Sequence, residues 1–152
     1  PLSGFEIVLE LTEQVLLDAQ KLVVDLHGRH GLTFAIDDFG TGYSSLHTVI
    51  ELALEGGVRY LKLDGSLTRT LSSHPASERI LRITRQMASE LHLETVAEMI
   101  ETQEEHDRME QLGIDLGQGY LIGIPDPVPV WVGKMNYLKA RQSQNQQSGF
   151  VY

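Results

Sequence analysis

The sequence predicts an α/β fold, a parallel sheet joined by helical crossovers, on three observations. Short apolar runs alternate five times with longer segments of helical apolar spacing. Glycines or prolines punctuate most of the junctions. Each apolar run ends in a group able to bind a metal or move a proton. Five such units in a row leave two architectures open: a doubly wound open sheet, or a closed (β/α)8 barrel. A barrel takes about 250 residues, rarely fewer than about 200. The chain has 152, so the barrel reading makes it part of one.

The elements follow in order. Phe5 to Leu11 is a β-rich run, and Val15 to Leu26 has helical spacing with stops at Gly28 and Gly31. Leu32 to Phe39 is a second strand, followed by the loop Gly40-Thr41-Gly42 and a helix from about Ser44 to Leu54. Val58 to Leu63 is a third strand. A loop follows, then a helix from Ala76 to Leu91 with Ile80, Ile83, Met87 and Leu91 on one side. Leu93 to Ile100 is a fourth strand. Thr102 and Glu105 have capping-box spacing and open a helix that ends before Gly113. Ile114 to Ile122 holds a fifth strand. Pro125, Pro127 and Pro129 lead into a last helix from about Val130 to Ala140. Residues 1–141 read as one domain, and 142–152 as a polar tail expected to be disordered.

Composition narrows the function. The formal net charge is −9, which argues against a nucleic-acid duplex as partner, because phosphate binding wants a basic surface. There are no cysteines, so disulfides and thiolate zinc sites are excluded. No run approaches the roughly 18 consecutive apolar residues of a membrane span. Pro1-Leu2-Ser3-Gly4 has neither a basic region nor a signal-type apolar stretch. It looks like a cut made inside a longer protein.

The polar residues at the strand ends carry the most information. Strand one ends at Glu10 with Glu13 beyond, strand two at Asp37-Asp38, strand three at Lys62 and Asp64. Strand four ends at Glu98 with Glu101 beyond, and strand five near Gln118. In a barrel these ends converge on one mouth, where active sites sit. Close carboxylates raise one another's pKa, and divalent cations relieve the repulsion. Hard cations such as Mg²⁺ and Mn²⁺ prefer oxygen ligands. Two of them about 3.5–4 Å apart can clamp a phosphodiester and supply the attacking hydroxide.

A blander reading competes at Glu13, Glu101 and Asp64, since acidic residues after strands often cap helices. Asp37-Asp38 is harder to explain away, because the pair follows apolar Phe34-Ala35-Ile36 and unpaired buried charge is costly. Lys62, between Leu61 and Leu63, needs a partner for the same reason. The six histidines show no metal-ligand spacing. Asp38-Phe39-Gly40 matches a kinase tripeptide, but no Gly-rich nucleotide loop or His-Arg-Asp segment accompanies it.

Five segments in order resemble the EAL family of cyclic di-GMP phosphodiesterases. They are Leu9-Glu10-Leu11-Thr12-Glu13, Asp37-Asp38-Phe39-Gly40-Thr41-Gly42-Tyr43-Ser44-Ser45-Leu46, Leu61-Lys62-Leu63-Asp64, Thr95-Val96-Ala97-Glu98 and Gln118-Gly119-Tyr120. The resemblance implies the C-terminal part of a TIM-like (β/α)8 barrel, truncated to about five units. It also implies hydrolysis of the bacterial messenger cyclic di-GMP to linear pGpG with two Mg²⁺ or Mn²⁺ per complete site. By motif position, Glu10, Asp37, Asp38 and Glu98 resemble metal ligands. Lys62 resembles the residue holding the nucleophilic water, Glu98 also a general base, and Gln118 a site amide. Glu13, Asp64 and Glu101 look like supports, and Phe39, Gly40, Thr41 and Gly42 like the loop that also serves family dimers. A homodimer, upstream sensor or cyclase domains, and a cytoplasmic place (with any membrane anchor upstream) follow as expectations.

The departures from the pattern matter. The Glu-Ala-Leu tripeptide is absent, and so is an asparagine early enough to match the family's metal ligand. Met99 stands where the family usually has glycine, and Gly65-Ser66-Leu67 where it has an Arg-Ser-Phe type run. The stretch around Ala53 to Gly57 is a few residues longer than usual, and Ile124 replaces a common basic residue. The isolated chain is therefore expected to be weakly active or inactive. Two other readings compete: a non-catalytic receptor or interaction module of the same family, and an unrelated metal-dependent barrel enzyme such as a lyase using a Lys and Glu pair.

Overall fold

The computed structural model describes residues 7–39, 46–71, 74–127, 129–130 and 132–133. The loop Gly40-Thr41-Gly42, most of the last predicted helix and the polar tail lie outside them. The elements run β1 (Val8–Thr12), α1 (Glu13–His30), β2 (Thr33–Phe39), α2 (Leu46–Leu54), β3 (Val58–Leu63), α3 (Gly65–Arg69), α4 (Pro75–Glu90), β4 (Glu94–Ala97), α5 (Gln103–Leu112) and β5 (Leu116–Gly117). Residues 129–130 and 132–133 are also helical.

The five strands form one sheet in the order β1-β2-β3-β4-β5, and every pair is parallel. That order decides between the two architectures. A doubly wound sheet reverses its strand order at a switch point, and none occurs among the five described strands. An unreversed parallel succession is the wall of a β/α barrel.

Pleating sends successive side chains to opposite faces. One face packs on helices: Phe34, Ile36 and Leu61 meet Leu16, Val23, Val49, Leu52 and Ala88 in one core cluster. Leu63 and Ala97 meet Leu81, Met109 and Leu112 in a second. The intervening residues Asp37 and Lys62 therefore point to the other face, the barrel interior.

Several boundaries differ from the sequence reading. Helix α1 runs through Gly28 and stops only at Gly31, whose φ of 64° supplies the left-handed C-cap. Gly28 has open space around it, so nothing in its surroundings breaks the helix. Helix α4 buries Ser77, Leu81, Thr84 and Ala88, one residue around from the expected stripe. Ile80 and Ile83 are 48 % and 68 % exposed. The predicted β4 and β5 shrink to Glu94–Ala97 and Leu116–Gly117. Their apolar extensions are loops, whose Ile100 and Ile114 are buried against α5. The expected loop after β3 opens with α3, and its N-cap Asp64 accepts from the Ser66 N–H at 3.0 Å. The Thr102–Glu105 capping box and the Gly113 C-cap, with φ 75°, are both present.

Two contacts tie β4 to β5. Asp115 accepts from the N–H and Oγ1 of fully buried Thr95, at 2.8 and 2.7 Å. Gly119 lies so close to Ile100 that a Cβ there would stand 2.7 Å from the Ile100 carbonyl carbon.

Candidate active site at the carboxyl ends of the strands

Lys62 is the centre of the site. It is only 4 % exposed, and its ammonium is met by three carboxylates. Nζ lies 2.8 Å from Glu10 Oε2, 2.7 Å from Asp37 Oδ1 and 2.6 Å from Glu98 Oε1. Register explains the convergence. Thr12 pairs with Asp37, Leu61 with Thr95 and Lys62 with Val96, so the groups sit near the same end of neighbouring strands. Glu98 follows directly after β4. A long lysine stem reaches across the differences in height.

The adjacent aspartates pose a geometric problem, because neighbours on a flat strand point to opposite faces. A bulge solves it. Between Ile36↔Leu61 and Phe39↔Leu63, β2 spends one residue more than β3. Asp38 takes φ 55°, a left-handed conformation uncommon outside glycine and tolerated best by Asn and Asp. As a result, oxygens of Asp37, Asp38 and Glu98 come within 4.8 Å of one another.

The electrostatics follow from the crowding. Burial works to lower the Lys62 pKa, but the hydrogen bonds to Asp37, Glu10 and Glu98 outweigh it and hold the ammonium above its usual value. Burial raises the Glu98 pKa; Lys62 opposes this, while Asp37 and Asp38 add to it. Burial sets the direction at Glu98, and the three carboxylate hydrogen bonds set it at Lys62.

The cluster fits a divalent cation. Its converging donors are all carboxylate oxygens, the ligand type hard cations take, and their charge exceeds what Lys62 neutralises.

The remaining predicted residues are spread around this centre. Gln118 lines a cavity of about 300 Å³ together with Glu98, Met99, Glu101, Arg69 and Tyr120. Glu101 points at Arg69 Nη2, 4.0 Å away, rather than at Lys62. Asp64 caps α3, as the capping reading expected. Phe39 ends β2 and packs on the helix-side core. Glu13 begins α1; its side chain, like Gly40, Thr41 and Gly42, lies outside the described residues.

Sequence reasoning missed Arg69, which no strand-end pattern marks, and the Asp115–Thr95 latch. It also missed the left-handed backbone of Met99, φ 56°. The only signal for that was a methionine where the resembling family has glycine.

A parallel, sequentially ordered β/α wall with a carboxylate–lysine cluster at its strand ends defines the class: a β/α-barrel protein with a candidate oxygen-donor cation site. The EAL domain model matches residues 1–125, and the chain belongs to the EAL domain family. It is 35 % identical over 135 residues to the probable cyclic di-GMP phosphodiesterase PdeN of Escherichia coli K12, covering 87 % of this chain and 25 % of that protein. Among solved structures it is similar to the MucR phosphodiesterase in complex with c-di-GMP, with TM-score 0.70 and 30 % identity over 82 % of this chain and 50 % of that one. It is also similar to Klebsiella pneumoniae BlrP1 in a manganese and cyclic di-GMP complex, with TM-score 0.64 and 30 % identity over 78 % and 31 % of the two chains. The chain spans 11 % to 25 % of the length of three curated relatives.

Proposed function

We propose that this chain carries the Asp-Asp, Lys and Glu part of a site that hydrolyses cyclic di-GMP to linear pGpG with two divalent cations, Mg²⁺ or Mn²⁺. The observation carrying this reading is the convergence of Glu10, Asp37 and Glu98 on Lys62 Nζ, with Asp38 beside them. The names of the relatives, cyclic di-GMP phosphodiesterases, supply the substrate.

Glu10, Asp37 and Asp38 would hold the cations, with Glu98 as a further ligand or as the base. Bound there, the cations would neutralise phosphate charge and acidify a water. Each of the three N–H donors of Lys62 is met by a carboxylate here; one of those donors, freed where a cation takes over its carboxylate, would orient the attacking water. Glu98, with its raised pKa, accepts the water's proton. The water oxygen forms the new P–O bond, the P–O3′ bond breaks, and the leaving oxygen takes up a proton. Gln118 can hydrogen-bond the substrate from the neighbouring cavity wall.

The family pattern adds a glutamate and an asparagine that this sequence lacks at matching positions. An upstream segment would supply them; a homodimer acting in the bacterial cytoplasm below sensor or cyclase domains belongs to the same reading.

The test is conversion of cyclic di-GMP by the chain with Mg²⁺ or Mn²⁺, read by chromatography, with Asp38→Asn as control. Slow, metal-dependent formation of the linear dinucleotide, lost in the control, is expected. Metal-dependent binding without turnover would favour a receptor, the reading to which Met99 and the absent ligands point. Absence of both would overturn the cyclic di-GMP reading.

A further inference from the structure

Met99 sits in a turn imposed from both sides. The Glu98 N–H donates to the Leu63 carbonyl at 3.4 Å, and the Ile100 N–H donates to the Gln118 carbonyl at 3.0 Å. The chain passes from β3's end to β5's end through one residue, and Met99 takes φ 56° to do it. That conformation is strained for a non-glycine residue.

Its side chain has a prepared seat. Gly65, buried at the start of α3, leaves open the space that Met99 fills. A Cβ at residue 65 would stand 2.6 Å from Met99 Cγ and 2.9 Å from Met99 Cβ, with Sδ also in the way. Side chains at 65 and 99 are therefore mutually exclusive unless Met99 moves. The two departures from the family pattern are one steric event.

Met99 as a whole is 42 % exposed. It faces the cavity of about 300 Å³ whose walls also carry Glu98, Gln118, Arg69, Glu101 and Tyr120. Apart from Met99 and the Tyr120 ring, those side chains are polar or charged.

We propose that Met99 is a specificity-determining residue: seated on Gly65, its thioether chain forms a fixed apolar wall beside Glu98 on which a purine base of the substrate packs. This rests on the cyclic dinucleotide reading above. Thioether sulfur is polarisable and packs well on flat π systems. Methionine is usually mobile, and contact with Gly65 on one side restricts that freedom, which lowers the entropy lost when a base arrives. The cavity is of a size that small ligands occupy.

The experiment measures two affinities by calorimetry on the same chain, for Mn²⁺ alone and for cyclic di-GMP with Ca²⁺ present. The variants are Met99→Gly, Met99→Leu, Gly65→Ala and the Gly65→Ala/Met99→Gly pair. Met99→Gly is expected to weaken the dinucleotide about tenfold, within the range of single sulfur or stacking contacts, and to leave Mn²⁺ affinity within about twofold. Met99→Leu should keep most of the affinity. Gly65→Ala should lose it by unseating Met99, and the pair should bind no worse than Met99→Gly alone. Undiminished dinucleotide binding by Met99→Gly, or equal losses for Mn²⁺ and dinucleotide, overturns the proposal and leaves the functional reading standing. A parent chain that binds Mn²⁺ but no cyclic di-GMP overturns the functional reading itself, and this inference with it.

Discussion

Lys62 Nζ lies 2.6 Å from Glu98 Oε1, and the same nitrogen binds Asp37 and Glu10. One ammonium thus stands between carboxylates that would otherwise repel one another. Lys62→Met should destabilise the metal-free chain. Removing one partner of a buried pair costs about 3–5 kcal/mol. Glu10 and Asp37 remain 47 % and 24 % exposed, and water screens part of the cost, so about 2 kcal/mol is expected. Urea unfolding measures it. Saturating Mn²⁺ should restore more stability to the variant than it adds to the parent; equal gains would mean that Lys62 and the cation do not serve the same carboxylates.

Glu98 leads to a prediction of opposite sign. Burial raises its pKa above the ordinary 4.5 in the folded chain, so ionisation is harder there than in the unfolded chain. Its contribution to stability is full below the unfolded pKa and is lost as pH rises through the folded value. Glu98→Gln should therefore flatten the decline in metal-free stability above about pH 4.5 while weakening Mn²⁺ binding. Thermal melts at several pH values with a chelator present check the first effect. A decline as steep in the variant as in the parent would contradict the burial argument.

The α5 capping box supplies a pH dependence in the usual direction. The Glu101 N–H donates to Glu105 and holds its pKa below normal; slight burial opposes this, and the Thr102 N–H and hydroxyl assist. The folded pKa lies below the unfolded one. The stabilisation is therefore complete above about pH 4.5 and is lost as pH falls through the lower folded value. Glu105→Gln should make the acid limb of the stability curve shallower. Thr102→Ala should cost about 1 kcal/mol at neutral pH, measured by urea unfolding.

Asp115 satisfies the buried Thr95 hydroxyl and backbone N–H together. Asp115→Ala leaves both without that acceptor, an expected loss of about 1–3 kcal/mol. The Thr95→Val variant removes the hydroxyl but leaves the N–H, and should cost less. Hydrogen exchange at Thr95 reads the local opening directly. Unchanged protection in Asp115→Ala would show that the latch is dispensable.

Much of the architecture was legible because it depends on local rules. Val58 to Leu63 is a strand with the predicted bounds, since an apolar run between glycines and a capping aspartate has few alternatives. The Thr102–Glu105 box was readable for the same reason. The α4 stripe was not. Ile80 and Ile83 are more apolar than Ser77 and Thr84, yet the latter pair faces the core. Helical rotation is set by where Leu81 and Ala88 meet the sheet and α5, and hydrophobicity alone does not encode that angle. At the site, the types and order of Glu10, Asp37, Asp38, Lys62 and Glu98 were readable, whereas their distances were not.

The sequence by itself determined the β/α alternation, the polar group at each strand end and the resemblance to one family, because spacing and residue type are local properties of the chain. Tertiary structure decided the rest. The unreversed strand order selected the barrel wall over the open sheet. The β2 bulge brought two consecutive aspartates to one face, Lys62 found three carboxylates from three other segments, and Met99 settled onto Gly65. Each of these depends on distances between segments far apart in the chain, which only packing the helices onto the sheet sets.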